Sequence, residues 1–522
     1  MAREPLGWFA AGPAERGAAQ RRVQGAGVCS VSPAWARRAL SALTVFGAGL
    51  WLLLVCWRLD SVPGMSMDEG WFISAARGKW PTANPLSGMT SYTAQFPILI
   101  LRAFGSSAGL LVLRASSIAA HAALLLVLAL LLRELFARRA LAGWALPVIA
   151  TSPAWLIPAR IGIEVTMFNA LFVMAGLYFL TRPGRLWAFA GGLSWGLAIY
   201  NHLLGVWGVL SVAGAWLLVY RRWREVPWWP LLAGLAVGLA PRVVAVLAFD
   251  NAQLVGTASS LSLPAAIADL RWTPRMIWET LHGRTVYMRY VGRVAREIAP
   301  YWLAGVAVLV PWLRSPRAIP RAACFALAAV VLCFVSTTLG APYLESRYLL
   351  LPIIGVPLAF VLLGAGAIER DRRWGYLIWP LAALIVAGNL YYELVNFYQP
   401  WDRHELAISS YAIGDRSPAV GSWHFLPRGP LAAALSQLEP APEQIVTPFS
   451  LQLPLEALLD GAEPQPRIVG AKGANPKLRS VYVDFRSSRF GPRYCTRLGK
   501  RKKCFVDPVI VDDYYVVYRG TR

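Results

Sequence analysis

From about residue 39 the chain becomes a succession of long apolar windows, each close to the roughly 20 residues a helix needs to cross about 30 Å of hydrocarbon. They lie near 39–57, 109–132, 140–158, 163–181, 186–201, 203–220, 228–249, 299–313, 321–340, 347–367 and 374–392. A soluble core has no need of such runs. Composition agrees: 57% of the 522 residues are hydrophobic and 15% charged, where a soluble chain carries about a quarter charged residues. The expected fold class is an α-helical polytopic membrane protein with about eleven transmembrane helices. A cytosolic enzyme and a disordered chain are excluded.

The short loops set the orientation. Arg133, Arg138 and Arg139 follow the second window, Arg182 and Arg185 the fourth, Arg221, Arg222 and Arg224 the sixth. Arg314, Arg317 and Arg321 follow the eighth, and Arg370, Arg372 and Arg373 the tenth. Short loops on the other side carry almost no Lys or Arg. By the positive-inside rule the basic loops face the cytoplasm, so the amino terminus is inside and the tail outside. The net charge of +23, from 51 Lys+Arg against 28 Asp+Glu, follows from these loops and from anionic head groups. No zinc-finger, RNA-recognition or helix-turn-helix pattern accompanies it, so nucleic acid is not an expected partner. The preference for arginine over lysine points to a GC-rich bacterial genome, and the expected location is the bacterial inner membrane.

Three domains are expected. Residues 1–38 form a disordered cytoplasmic extension, 39–392 the transmembrane part with long external loops 58–108 and 250–298, and 393–522 an external soluble domain. The tail mixes a helical stretch, Leu431 to Leu438, with strand-like runs such as Ser480-Val-Tyr-Val-Asp and Tyr514-Tyr-Val-Val-Tyr, a small α/β domain. Cys495 and Cys504 flank a basic loop within it, in a compartment where disulfides persist, and are expected to be bonded.

Charged residues near the external ends of the windows are the candidates for chemistry. Asp68 and Glu69 stand just past the first window among Trp, Phe, Ile and Ala, a setting that suits a general base. The structural alternative is that Asp68 caps a helix over Glu69–Gly78. Arg160 and Glu164, four apart at the fourth window, can pair on one helical face. Arg114 and Arg242 are intramembrane charges that must face the protein interior or an anion. Arg289, Arg293 and Arg296 share a face of an amphipathic helix able to grip phosphate or membrane lipid head groups. Glu345, Arg347 and Tyr348 begin the tenth window. His202, beside Asn201 at an outer turn, reads as structural. A proton or ion transporter would place its acids near the midplane, whereas these charges gather at one interface.

The acid pair, Trp71-x-x-x-Ala75, Phe104-Gly-Ser and Leu113-Arg114-Ala-Ser resemble the membrane-embedded GT-C glycosyltransferases, in particular protein O-mannosyltransferases and lipid A aminoarabinose transferases. Ala159-Arg160 through Glu164 is similar to their Arg-and-acid motif, and Glu345-Ser-Arg347-Tyr348-Leu-Leu-Leu-Pro352 to their Arg-Tyr-Leu start of a late span. The resemblance covers roughly residues 40–370.

It implies a hexosyl- or pentosyltransferase that moves a sugar from a polyprenyl-phosphate-linked donor to a lipid, glycan or protein acceptor on the non-cytoplasmic face, with inversion. Asp68 would be the base, assisted by Glu69. Arg347, Tyr348, Arg289 and Arg293 would bind the donor phosphate, and Arg114, Arg160 and Glu164 would support the site. One departure leaves the metal unknown: after Glu69 the next acid is Glu134, on the cytoplasmic side. A divalent metal ion is thus an open cofactor that Glu69 or Glu164 would have to help hold. Two alternatives from other classes stand beside the enzyme: a lipid or polysaccharide transporter, and a non-catalytic scaffold.

Overall fold

The computed structural model describes residues 34–60, 65, 67–78, 95–105, 109–136, 147–160, 165–220, 225–248, 328, 358, 360–364, 367–368, 371–394, 429–460, 464–485, 491–498, 500–511 and 515–521. Helices come first: α1 (Ala34–Cys56), α2 (Met67–Ala76), α3 (Gln95–Ala103), α4 (Leu110–Phe136), α5 (Pro153–Ala159), α6 (Val165–Leu180), α7 (Arg185–Asn201), α8 (Gly205–Tyr220), α9 (Trp228–Ala248) and α10 (Gly375–Glu393). The carboxy-terminal part mixes α11 (Gly429–Ser436) and α12 (Phe449–Leu458) with six strands.

The buried core is apolar, but large apolar side chains also face outward and several polar ones are buried. Leu126, Leu218, Leu247 and Trp229 stand exposed on helix surfaces, while Arg114, His121, Arg160, Asn201 and Asn389 are buried. Apolar groups outside and charges inside are stable where the surroundings are hydrocarbon. Two helical stretches, Leu110–Leu132 and Trp228–Ala248, are long and apolar enough to cross a membrane. Val45–Cys56, Met167–Leu180, Gly205–Val219 and Tyr376–Tyr391 are shorter apolar stretches. This is a helical membrane protein with a carboxy-terminal sheet domain.

Seven of the windows read from sequence coincide with α1, α4, α6, α7, α8, α9 and α10. The third, 140–158, reaches only partly into the described residues, as 147–150 and most of α5. Those near 299–313, 321–340 and 347–367 fall outside them apart from 328, 358, 360–364 and 367, as do the extension before residue 34 and the loop 250–298.

Among the described helices α7 and α9 make the closest approach, and glycine explains it. Gly192 and Gly196 on α7 face Gly234 and Gly238 on α9. A Cβ on Gly192 would lie 1.9 Å from the Leu231 carbonyl oxygen, and one on Gly234 2.0 Å from that of Phe189. Each helix carries a Gly-x-x-x-Gly spacing, so the two backbones touch directly. That contact brings Arg242 of α9 to the end of α7.

The described part of the tail begins at Gly429. Strands β1 (Gln444–Val446), β2 (Arg467–Val469), β3 (Ser480–Phe485), β4 (Arg493–Leu498), β5 (Arg501–Val511) and β6 (Tyr515–Thr521) form one sheet in the order β2-β1-β3-β6-β5-β4. β1 runs parallel to β2 and β3; the remaining pairs are antiparallel. Alternation along β3 sorts its side chains. Val481 and Val483 bury against Leu431, Leu435, Leu451 and Leu455 of the two helices, and Tyr482 turns to the opposite face with Phe505 and Tyr518. Tyr482 donates its hydroxyl to Asp484 Oδ2 at 2.8 Å. Burial first, then the neighbouring Asp484, holds this phenol well above its usual range. Cys495 and Cys504 are directly opposed on β4 and β5, with their sulfur atoms bonded.

Candidate functional site

The last carbonyls of a helix have no partners within it, and at the end of α1 two arginines from other helices supply them. Arg160, just past α5, donates through Nη1 to the Leu54 carbonyl and through Nη2 to that of Trp57. Arg114, one turn into α4, donates through Nη1 to the Leu59 carbonyl at 2.8 Å. Both side chains are fully buried. A guanidinium there also opposes the negative end of the helix dipole.

Arg114 has a second partner. Its Nε lies 2.8 Å from Glu69 Oε1 and its Nη2 3.0 Å from Oε2, a forked pair with neither side chain exposed to solvent. Glu69 sits on α2, so the pair joins α2 to α4. Asp68 is the second residue of α2, since the helix begins at Met67. It therefore lies inside the first turn and not at the cap position expected for a helix over Glu69–Gly78. An acid in a first turn is favoured by the dipole.

A parallel arrangement closes the end of α7. Arg242 donates through Nη1 to the carbonyls of Tyr200 at 3.0 Å and Ile199 at 3.2 Å, so it faces the protein interior, as an intramembrane charge must. Asn201 accepts from the Phe96 backbone N–H at 3.0 Å and donates to Asn169 Oδ1 at 2.6 Å. His202 Nδ1 accepts from the Leu204 N–H at 3.1 Å, a turn-forming bond. Phe96 belongs to α3, and Ile98 and Leu101 of α3 bury in the same core as Phe72 and Ile73 of α2. The ends of α1 and α7 are thus joined through α2 and α3 into one layer.

Of the residues singled out from sequence, the structure brings Glu69, Arg114 and Arg160 together around the end of α1. Glu164, Arg289, Arg293, Arg296, Glu345, Arg347 and Tyr348 lie outside the described residues. Two contacts escaped the sequence reading. One is the Glu69–Arg114 pair, across 45 positions. The other joins Arg77, just past α2, to Asp460 at 2.7 Å, across 383; nothing in the local sequence pairs the two.

Among the described residues no three His, Cys, Asp or Glu side chains are grouped to hold a divalent ion.

Solved structures share this architecture. ArnT from Cupriavidus metallidurans bound to undecaprenyl phosphate superposes with a TM-score of 0.55 at 14% identity, covering 91% of this chain and 97% of ArnT. The apo state of the same protein gives 0.52 at 15%, covering 92% and 98%. No family model and no curated protein sequence matches the chain. At such identities the likeness is one of fold, and it spans both the helical part and the sheet domain.

Proposed function

We propose that this chain is a membrane glycosyltransferase of the GT-C kind, moving a sugar from a polyprenyl-phosphate-linked donor to an acceptor at the external face. The observation that carries this reading is the fold likeness to ArnT over nearly the whole of both chains, one of the two structures holding undecaprenyl phosphate. The order of the sequence motifs supports it independently. In this reading about eleven helices span the bacterial inner membrane, and the sheet domain is external.

Asp68 is the proposed base. It stands beside Glu69 in the first turn of α2, and adjacent helix positions are about 100° apart. In the reaction, the acceptor hydroxyl loses its proton to Asp68 as its oxygen attacks the anomeric carbon. The bond from that carbon to the phosphate oxygen breaks, the polyprenyl phosphate leaves with the electron pair, and the configuration inverts. Such a transition state is oxocarbenium-like, and the leaving phosphate needs fixed positive charge more than it needs an acid. Arg347, with Tyr348, Arg289 and Arg293, is proposed to supply it. Glu69, Arg114 and Arg160 act one step back by fixing α2 to the ends of α1 and α4.

Purified protein with a lipid-linked sugar donor tests the reading. Asp68→Asn is expected to lower transfer about 10²- to 10⁴-fold while leaving expression and melting unchanged. Retained transfer in Asp68→Asn would remove it as the base, and a wild-type protein that moves lipid without transferring sugar would favour a transporter. Mass spectrometry of the lipid-linked sugars that accumulate in a deletion strain would identify the donor.

A further inference from the structure

The helix that carries both acids is gripped at two points by the carboxy-terminal domain. Near its start, Gly70 meets α12 backbone to backbone. A Cβ at Gly70 would stand 2.7 Å from both N and Cα of Pro454 and 2.9 Å from the Leu453 carbonyl carbon, distances that side-chain rearrangement cannot relieve. Just past its end, Arg77 Nη1 donates to Asp460 Oδ2 at 2.7 Å and to the Ala457 carbonyl at 3.2 Å. Ala457 is in the last turn of α12, where carbonyls lack helical partners.

Seven residues separate Gly70 from Arg77, two turns of helix, so both contacts fall on one face of α2 about 10 Å apart. Ala457 and Leu458 extend the contact by packing against the apolar core of the transmembrane part. The position between Asp68 and Gly70, Glu69, is held from another direction by Arg114. Two bodies thus fix α2, one through its acid and one through its glycine face. The sheet domain lies hundreds of residues away in sequence, yet it touches the helix within two residues of Asp68.

We propose that the carboxy-terminal domain is part of the catalytic unit, with Gly70, Arg77, Pro454 and Asp460 as positioning residues that hold α2, and hence Asp68, at the geometry transfer requires. This rests on the reading of Asp68 as the base. The domain acts by preorganisation: a base displaced by about 1 Å costs on the order of 100-fold in rate, without any change in what binds the donor.

The test uses the full chain in detergent or nanodiscs, with transfer kinetics and undecaprenyl phosphate binding measured separately. Gly70→Ala places a methyl group inside the Pro454 contact and is expected to lower kcat about 100-fold. KM for donor and undecaprenyl phosphate binding should stay within about threefold, because the phosphate site is not touched. Arg77→Asp sets two acids against each other and is expected to lower kcat about tenfold, a smaller share of the same misplacement. Adding Asp460→Arg should restore most of it. Full kcat in both single variants would overturn the proposal. So would a joint loss of kcat and undecaprenyl phosphate binding, which would mean that the contact holds the fold and not the base. A wild-type protein without transferase activity, by contrast, would sink the glycosyltransferase reading itself.

Discussion

Arg114 holds Glu69 through two parallel hydrogen bonds of 2.8 and 3.0 Å, and neither side chain is reached by solvent. The same guanidinium also closes the end of the first helix through the Leu59 carbonyl. One side chain therefore joins α4, α2 and the segment following α1.

Removing one partner of a buried pair strands the other charge, which costs about 3–5 kcal/mol. Glu69→Ala should therefore lower the melting temperature of the purified protein sharply, with Arg114→Ala close behind. The double variant Glu69→Gln, Arg114→Gln should recover a large part of the loss. Unchanged melting in Glu69→Ala would show that the pair does not hold the fold together.

Donor recognition should depend on Arg347 more than on any one arginine of 284–298. Losing a charge-assisted contact to a desolvated phosphate costs roughly 30- to 1,000-fold in rate. Arg347→Lys keeps the charge but loses the planar fork, so it should remain impaired. Single substitutions of Arg289, Arg293 or Arg296 should cost less than about tenfold, since neighbours share the anion. Initial rates with lipid-linked donor decide it; near-normal transfer by Arg347→Ala would shift the role to the loop arginines.

Reporter fusions at Arg139, Arg222 and Arg317 should read as cytoplasmic, and fusions after Pro400 as external, from the alternation of basic loops. A cytoplasmic tail would place α12, and the α2 face it grips, on the side opposite to the proposed reaction.

Cys495 and Cys504 should resist alkylation in native membranes until a reductant is added. Their separation of nine positions makes a short closed loop, for which chain entropy suggests about 2–3 kcal/mol of stabilisation. Cys495→Ser with Cys504→Ser should loosen the sheet domain by that amount, read by hydrogen exchange along β4 and β5. Equal labelling with and without reductant would show two free thiols.

Local pattern determined much of this protein from the sequence alone. Uninterrupted apolar runs placed seven described helices to within a few residues, because hydrocarbon thickness dictates their length. The alternation of Val481, Tyr482 and Val483 announced a strand with two different faces, and Cys495 and Cys504 were close enough in sequence to be read as partners. What the pattern did not carry is which charge meets which. Nothing near Glu69 in the chain names Arg114 as its partner, and nothing near Arg77 names Asp460. Nothing in the sequence set Gly70 apart, yet only Gly lets the backbones of α2 and α12 touch. Helix and strand periods arise from neighbours within a few residues, whereas a buried ion pair or a backbone contact depends on where distant segments pack. Those pairings leave no period in the chain, so the tertiary structure alone decides them.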